Sequence, residues 1–299
     1  MANKEKAEVQ DINRSMYDFR YEEKDTDFYK IQEGLTKDIV LEISEKKGDP
    51  DWMRDFRLKS LEIYNQKQVP QWGPSIDGLD MNNIVTYVKP KTKMTADWEE
   101  VPEDIKNTFE KLGIPQAERE SLAGVGAQYD SELVYHNLQK EVEEQGVVYT
   151  DIESALHGPY ADMIRDHFMH LVPPTDHKFA ALHGAVWSGG SFVYIPKGVS
   201  VEIPLQSYFR LNAPGAGQFE HTLIIVDEGA QLHFIEGCSA PKYNIANLHA
   251  GCVELYVGKN AKLRYSTIEN WSKNMYNLNT KRAIVEEGGT MEWVSGSFG

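Results

Sequence analysis

The sequence predicts a mainly β protein, a β-solenoid core behind a helical N-terminal region. Three observations carry this reading. Near residue 180 the helical spacing of apolar residues gives way to short β-rich runs separated by Gly, Asn and charged turns. Four segments of the second half resemble one another: 195–203, 226–234, 257–265 and 285–293. The turn residues they share, Gly198, Gly229, Asn260 and Gly288, lie 31, 31 and 28 residues apart. A tight turn between strands often needs a positive φ, which Gly and Asn tolerate best. The flanks alternate apolar and polar, as in Leu232, Phe234 and Leu263, Tyr265. Each unit therefore has a face that it cannot bury alone, and stacking the units makes one continuous core. A sandwich or barrel of similar hairpins is the alternative that the repeat leaves open.

The division expected is 1–175 for the helical and loop region and 176–299 for the β core. Residues 1–34 are polar and irregular. Thr36 is placed to cap a helix carrying Ile39, Val40 and Ile43, with Leu35 and Val40 as its hydrophobic staple. A second helix starts near Pro50-Asp51, puts Met53, Phe56, Leu61 and Tyr64 on one side, and stops before Pro70. Residues 102–112 form a third, with Ile105, Phe109 and Leu112 on one face and Gly113 as its stop. Ser131 caps a fourth, running through Leu133, Val134, Leu138 and Val142 to Gly146. Thr150-Asp151-Ile152-Glu153 matches a capping box, and residues 160–171 form the last helix before Pro173-Pro174. Amphipathic packing accounts for these stripes without a cofactor.

Composition narrows the function. The 299 residues carry 31 basic and 46 acidic side chains, a net charge of −15. Residues 1–150 hold most of the acidic excess, and no basic stripe offsets it, which excludes nonspecific binding to nucleic acid. No apolar run approaches the roughly 18 residues of a membrane span, and no apolar segment follows the charged start as in a secretory signal. Two cysteines, Cys238 and Cys252, cannot make a disulfide framework. Together these points lead to the expectation of a cytoplasmic protein that binds no membrane.

Candidate chemistry centres on the cysteines. Gly237 before Cys238 and Ser239-Ala240-Pro241 after it place Cys238 at a turn or strand end, more open than a strand centre. Cys252, in Gly251-Cys252-Val253-Glu254-Leu255, reads as a buried strand residue. Their 14-residue separation is not a metal-finger spacing. His167 and His170 lack a His-Glu-x-x-His motif, and His177, His183, His221, His233 and His249 are dispersed. In a solenoid, however, distant residues stack, so that His233 or His249 can approach Cys238. Gly189-Gly190 is a turn rather than a phosphate loop, because it lacks the strand–GxGxxG–helix context.

Residues 180–199, 218–230, 236–241 and 277–282 resemble the SufB/SufD family of iron–sulfur cluster assembly scaffolds, its SufB members in particular. The segments Gly34-Leu35-Thr36 and Trp52-Met53-Arg54-Asp55-Phe56-Arg57 fit as well, so the resemblance covers nearly the whole chain. It implies a right-handed parallel β-helix core between helical regions. It also implies a scaffold, not an enzyme, that works with SufD and the SufC ATPase. Sulfur would arrive from the SufS cysteine desulfurase through SufE or SufU, and the cofactor would be an iron–sulfur cluster assembled transiently. By the same resemblance Cys238 is the sulfur acceptor, and Arg210, Asn212, Glu269, Trp271 and Lys281 line a polar path through the β-helix. Glu269 departs from the pattern, where Gln is expected, and a carboxylate there repels an anionic sulfur species. The chain ends soon after the fourth repeat, ahead of the family's cluster ligands, and this leads to the expectation of an incomplete scaffold with an uncapped edge that associates. Arg210 and Lys281 are expected to lower the thiol pKa and hold a persulfide anion. The competing readings are a β-solenoid carbohydrate-active enzyme, which needs paired carboxylates, and a purely structural interaction module.

Overall fold

A computed structural model describes residues 28–111, 122–241 and 244–298. The expectations for residues 1–27, for Leu112 and for the stop at Gly113 lie outside the described residues.

The first helices follow the sequence closely. Helix Lys37–Lys47 begins where the Thr36 hydroxyl accepts from the Ile39 N–H at 3.3 Å, and it ends on Gly48 in the left-handed conformation. Ile39, Val40 and Ile43 are its buried face. Helix Asp51–Gln66 buries Met53 and Leu61 and also Arg57 and Ser60. Helix Glu103–Lys111 buries Ile105 and Phe109. A small antiparallel pair, β1 (Phe28–Lys30) and β2 (Val88–Pro90), accompanies them.

The helix expected over residues 131–146 is corrected to a hairpin. β3 (Gly124–Tyr129) and β4 (Glu132–Leu138) pair antiparallel around Asp130, which has φ 54°. Only Lys140–Glu143 is helical there. Ser131 caps no helix, for its hydroxyl accepts from the Val88 N–H at 3.1 Å. Leu133 and Val134 fit a pleated surface as well as a helix, and the partner strand decided between them. Thr150 likewise lies in β5 (Val148–Asp151), and the cap of helix Ile152–Ala155 is Asp151, which accepts from the Ser154 N–H at 2.7 Å. The next helix, Ala161–His167, is shorter than the expected 160–171 because Phe168 is extended and Met169 has φ 52°. Helix Lys178–Val186, where strand was expected, is buried along Phe179–Val186, so no polar face marked it in the sequence.

From Ser191 the chain winds into a parallel solenoid. Its first turn is β6 (Ser191–Ile195), β7 (Leu205–Arg210) and β8 (Gly217–Gln218). The second is β9 (His221–Val226), β10 (Gln231–Ser239) and β11 (Asn247–His249). The third is β12 (Cys252–Val257), β13 (Lys262–Asn270) and β14 (Met275–Asn277), followed by β15 (Thr280–Val285) and β16 (Thr290–Phe298). Like strands stack on like, in the orders β6-β9-β12-β15, β7-β10-β13-β16 and β8-β11-β14. Every one of these neighbours is parallel. That decides against the sandwich and barrel alternatives. The shared turn residues all have positive φ: Gly198 73°, Gly229 68°, Asn260 56° and Gly288 69°. Two sheets extend into the N-terminal half, β5 antiparallel on β6 and β3 parallel on β7.

Burial alternates along β10, with Leu232, Phe234, Glu236 and Cys238 inside. They stand in register with Leu263, Tyr265, Thr267 and Glu269 of β13. One half of the interior is thus apolar, and the Phe234 and Tyr265 rings stack at 6.0 Å between centroids. The other half is polar. Among the described residues, no helix is long and apolar enough to cross a membrane.

His136 yields a pH prediction. Its Nε2 is buried without a hydrogen-bond partner, its ring stands 4.6 Å from that of Tyr149, and burial pushes its pKa down to about 4, with Asp151 working against. The unfolded chain therefore binds this proton more readily than the folded one. Stability is whole above the ordinary histidine pKa of about 6.5 and falls as pH drops from there toward 4. His136→Phe is expected to flatten that part of the acid limb, as read from urea midpoints across the range. An unchanged slope would show that His136 is not its source.

Candidate functional site

The polar half of the interior collects residues from successive turns of the solenoid, β7 to β15. Cys238 is the penultimate residue of β10, as a strand end was expected, but it is buried rather than open. It packs with Phe209 and Trp271, and its Sγ is 3.9 Å from Glu236 Oε1. Glu236 also accepts from the Thr222 hydroxyl at 3.1 Å. Glu220 lies just before β9 and His249 closes β11, and the parallel stacking sets His249 Nε2 2.5 Å from Glu220 Oε1. His249 Nδ1 is 2.8 Å from Asn277 Oδ1, and its ring stands 4.7 Å from that of Trp271. From β15, Lys281 donates to Glu269 Oε1 at 3.1 Å, and Asn277 Nδ2 donates to Glu269 Oε2 at 2.8 Å.

The electrostatics correct one expectation. Burial pushes the Cys238 thiol well above its ordinary range, Glu236 and Glu220 push the same way, and Lys281 works against them. The resting group is therefore a thiol and not the expected thiolate. Burial also raises the carboxyl of Glu236. Burial alone would raise Glu269 too, but Lys281 brings it below the ordinary range. Burial disfavours charge on Lys281, yet Glu236 and Glu269 hold it protonated. The carboxylate at position 269 is thus partnered by this cation and does not face the thiol alone.

Of the six sequence candidates, the structure gathers Cys238, Glu269, Trp271 and Lys281. Arg210 and Asn212 belong to an adjoining cluster. Arg210 is in register with Ser239, and it is Phe209 that stands level with Cys238. Arg210 donates to the Ser239 hydroxyl at 3.3 Å. Asn212 N–H donates to Asp130 Oδ1 at 2.6 Å, and burial pushes that carboxyl up to about 6 against the N–H groups of Asn212 and Ala213 and the charge of Arg210. His249 approaches Cys238 as the stacking argument allowed, whereas His233 faces outward to the Ser266 hydroxyl. Glu220 and Glu236 belong to the site without any motif to mark them. Their only signal is a carboxylate inside or beside an otherwise apolar strand.

A second buried group lies on the outer face of the β9 and β12 sheet, beneath helix Lys178–Val186. Cys252 is buried there, as expected of a strand residue, near His183 and His221. His183 Nδ1–H donates to the Ala250 carbonyl at 2.9 Å, and Nε2 lies 3.0 Å from His221 Nδ1. Glu254 completes the group, accepting from the N–H groups of Met169, Leu171 and Val172 and lying 3.1 Å from His221 Nε2. This network ties the loop after helix Ala161–His167 to the sheet.

Residues 42–207 match the family described as the SufBD protein N-terminal region, and residues 209–299 match the SufBD core domain of SUF system FeS cluster assembly. The chain is 53% identical over 283 residues to the iron–sulfur cluster assembly protein SufB of Bacillus subtilis (strain 168), covering 95% of this chain and 61% of that protein. It is 51% identical, over the same shares, to iron–sulfur cluster assembly SufBD family proteins of Staphylococcus epidermidis (strain ATCC 12228) and Staphylococcus aureus (strain USA300). The chain therefore spans about three fifths of the length of these curated relatives.

Proposed function

Because this chain belongs to the SufB/SufD family of iron–sulfur cluster assembly proteins, we propose that it is a scaffold subunit whose Cys238 accepts sulfur inside the solenoid. The observation that supports this most is the surroundings of Cys238: a buried thiol beside a proton acceptor, Glu236, and within the field of a cation, Lys281.

The transfer follows from those groups. A donor persulfide presents its outer sulfur to Cys238. The thiol proton passes to Glu236, whose raised pKa suits it to take a proton. The Cys238 sulfur then bonds to the outer sulfur of the donor, R–S–SH, the donor S–S bond breaks, and the proton of the outer sulfur passes to the departing sulfur, so that the donor leaves as a thiol and the persulfide on Cys238 is an anion. The persulfide anion now on Cys238 is stabilised by Lys281 and shielded from stray thiols by the solenoid walls. The partners that fit this reading are SufD, the SufC ATPase and the SufS desulfurase with SufE or SufU. A cluster held by four thiolates needs more than the two cysteines of this span, so partners or residues of a longer protein supply the rest. The carbohydrate-active reading needs carboxylates on an open groove, whereas Glu220, Glu236 and Glu269 are enclosed.

The test is mass spectrometry after incubation with a cysteine desulfurase, its shuttle and cysteine. The gain of one sulfur atom is expected on the Cys238 peptide, and a gain confined to the Cys252 peptide would refute the assignment. Lys281→Met is expected to lower labelling about tenfold, since a charge-assisted contact is worth roughly 1.5–3 kcal/mol. Combining it with Glu269→Gln removes the carboxylate that would otherwise be stranded. Full labelling of this double variant would show that Lys281 does not hold the anion.

A further inference from the structure

We propose that Glu220, Cys238 and His249 form a binding site for a divalent first-row transition ion, ferrous iron in the setting of cluster assembly. The choice of iron rests on the function proposed above; the site itself rests on geometry. One carboxylate oxygen, the thiol sulfur and one imidazole nitrogen lie within 4.8 Å of one another, all three residues buried. A tetrahedral ion with bonds of about 2.0–2.3 Å holds its donors somewhat under 4 Å apart, so small side-chain movements close this set around an ion. Mixed sulfur, nitrogen and oxygen donors suit borderline ions such as Fe²⁺, Co²⁺ and Zn²⁺ rather than Mg²⁺ or Ca²⁺.

Two features beyond the cluster itself point to a ligand. The first is the orientation of His249. Asn277 donates through Nδ2 to Glu269, so its Oδ1 is left to accept from His249 Nδ1–H. Nε2 is thereby turned toward Glu220 Oε1 at 2.5 Å, and a proton shared between the two joins them. A metal ion replaces that proton. Outer hydrogen bonds of this kind orient the histidines of known metal sites. The second is unmet polarity. Glu220 Oε2 is buried without a hydrogen-bond partner, as are both side-chain polar atoms of Asn279. A Cβ at Gly251 would stand 2.3 Å from Glu220 Oε1 and 3.1 Å from Asn279 Oδ1, so the glycine keeps this corner open for the carboxylate. Asn277 and Asn279 also line a surface cavity of about 410 Å³, together with Trp72 and Ile76. The Cys252 group differs, because every polar side-chain atom of His183, His221 and Glu254 has a hydrogen-bond partner.

Cobalt(II) titration of the reduced full chain, without oxygen, tests the site. One equivalent is expected to bind with a thiolate-to-cobalt charge-transfer band. Cys238→Ser is expected to remove the band and Cys252→Ser to keep it. Glu220→Gln and His249→Gln are each expected to weaken binding at least tenfold, and Asn277→Ala, acting through His249, by about 10- to 100-fold. Circular dichroism of each variant confirms that the fold persists, and Glu220→Gln, nearly the same size and shape, serves if His249→Gln fails to fold. A native chain without the band overturns the proposal, as does a band that survives Cys238→Ser and vanishes with Cys252→Ser. Persulfide labelling is read on the same preparation. Labelling without cobalt binding overturns the metal site alone, and cobalt binding without labelling overturns the sulfur reading alone.

Discussion

Cys238→Ser is expected to abolish persulfide labelling, while Cys252→Ser leaves most of it. Both thiols are buried, and burial pushes both well above their ordinary range, so neither reacts by being exposed or already ionised. What separates them is their neighbours. Cys238 has Glu236 at 3.9 Å to take its proton and Lys281 among the charges acting on it. Cys252 has Glu254 first among the charges acting on it, and that carboxylate already accepts three backbone N–H groups and faces His221. A persulfide formed on Cys252 would be a buried anion beside a buried carboxylate, with Arg282 acting only from the exposed side. Serine is close to cysteine in size, so the packing against Phe209 and Trp271 survives the change. Labelling that persists in Cys238→Ser and disappears in Cys252→Ser would reverse the assignment.

Arg57→Ala is expected to destabilise the chain by about 3–5 kcal/mol, the usual cost of breaking a buried ion pair from one side. Arg57 is fully buried in helix Asp51–Gln66. Its Nε donates to Asp49 Oδ2 at 2.6 Å, its Nη1 donates to the Trp187 carbonyl at 2.8 Å, and its guanidinium lies over the Trp187 ring. Truncation strands the Asp49 carboxylate and the carbonyl at the end of helix Lys178–Val186. Arg57→Lys is expected to recover little, because an ammonium cannot reach both groups in one plane. Asp49→Asn in the Arg57→Ala background is expected to recover part of the loss by removing the stranded charge. Urea unfolding measures all three, and a loss below about 1 kcal/mol for Arg57→Ala would show that the pair is not what joins the helices.

Local sequence determined the parts of this protein that are governed by near neighbours. Thr36 and Gly48 bound their helix because a cap needs only the next few residues. Gly198, Gly229, Asn260 and Gly288 mark the solenoid corners because a left-handed turn selects its residue wherever the strands go. The alternation of Leu232, Phe234, Glu236 and Cys238 already assigned Cys238 to the same face as the apolar core, and its burial follows from that period. The tertiary structure decided the rest. Residues 131–146 carry apolar spacing that suits either state, and β3, itself docked on β7, made them a hairpin. Helix Lys178–Val186 is apolar all round and so has no stripe to read. The site shows the same division. Glu220, Cys238 and His249 are 18 and 11 residues apart along the chain, with no motif among them, and only parallel stacking in register brings their donor atoms together. Whether Cys238 meets a cation or a carboxylate depends on which rung lies above it, and that is a property of the stack.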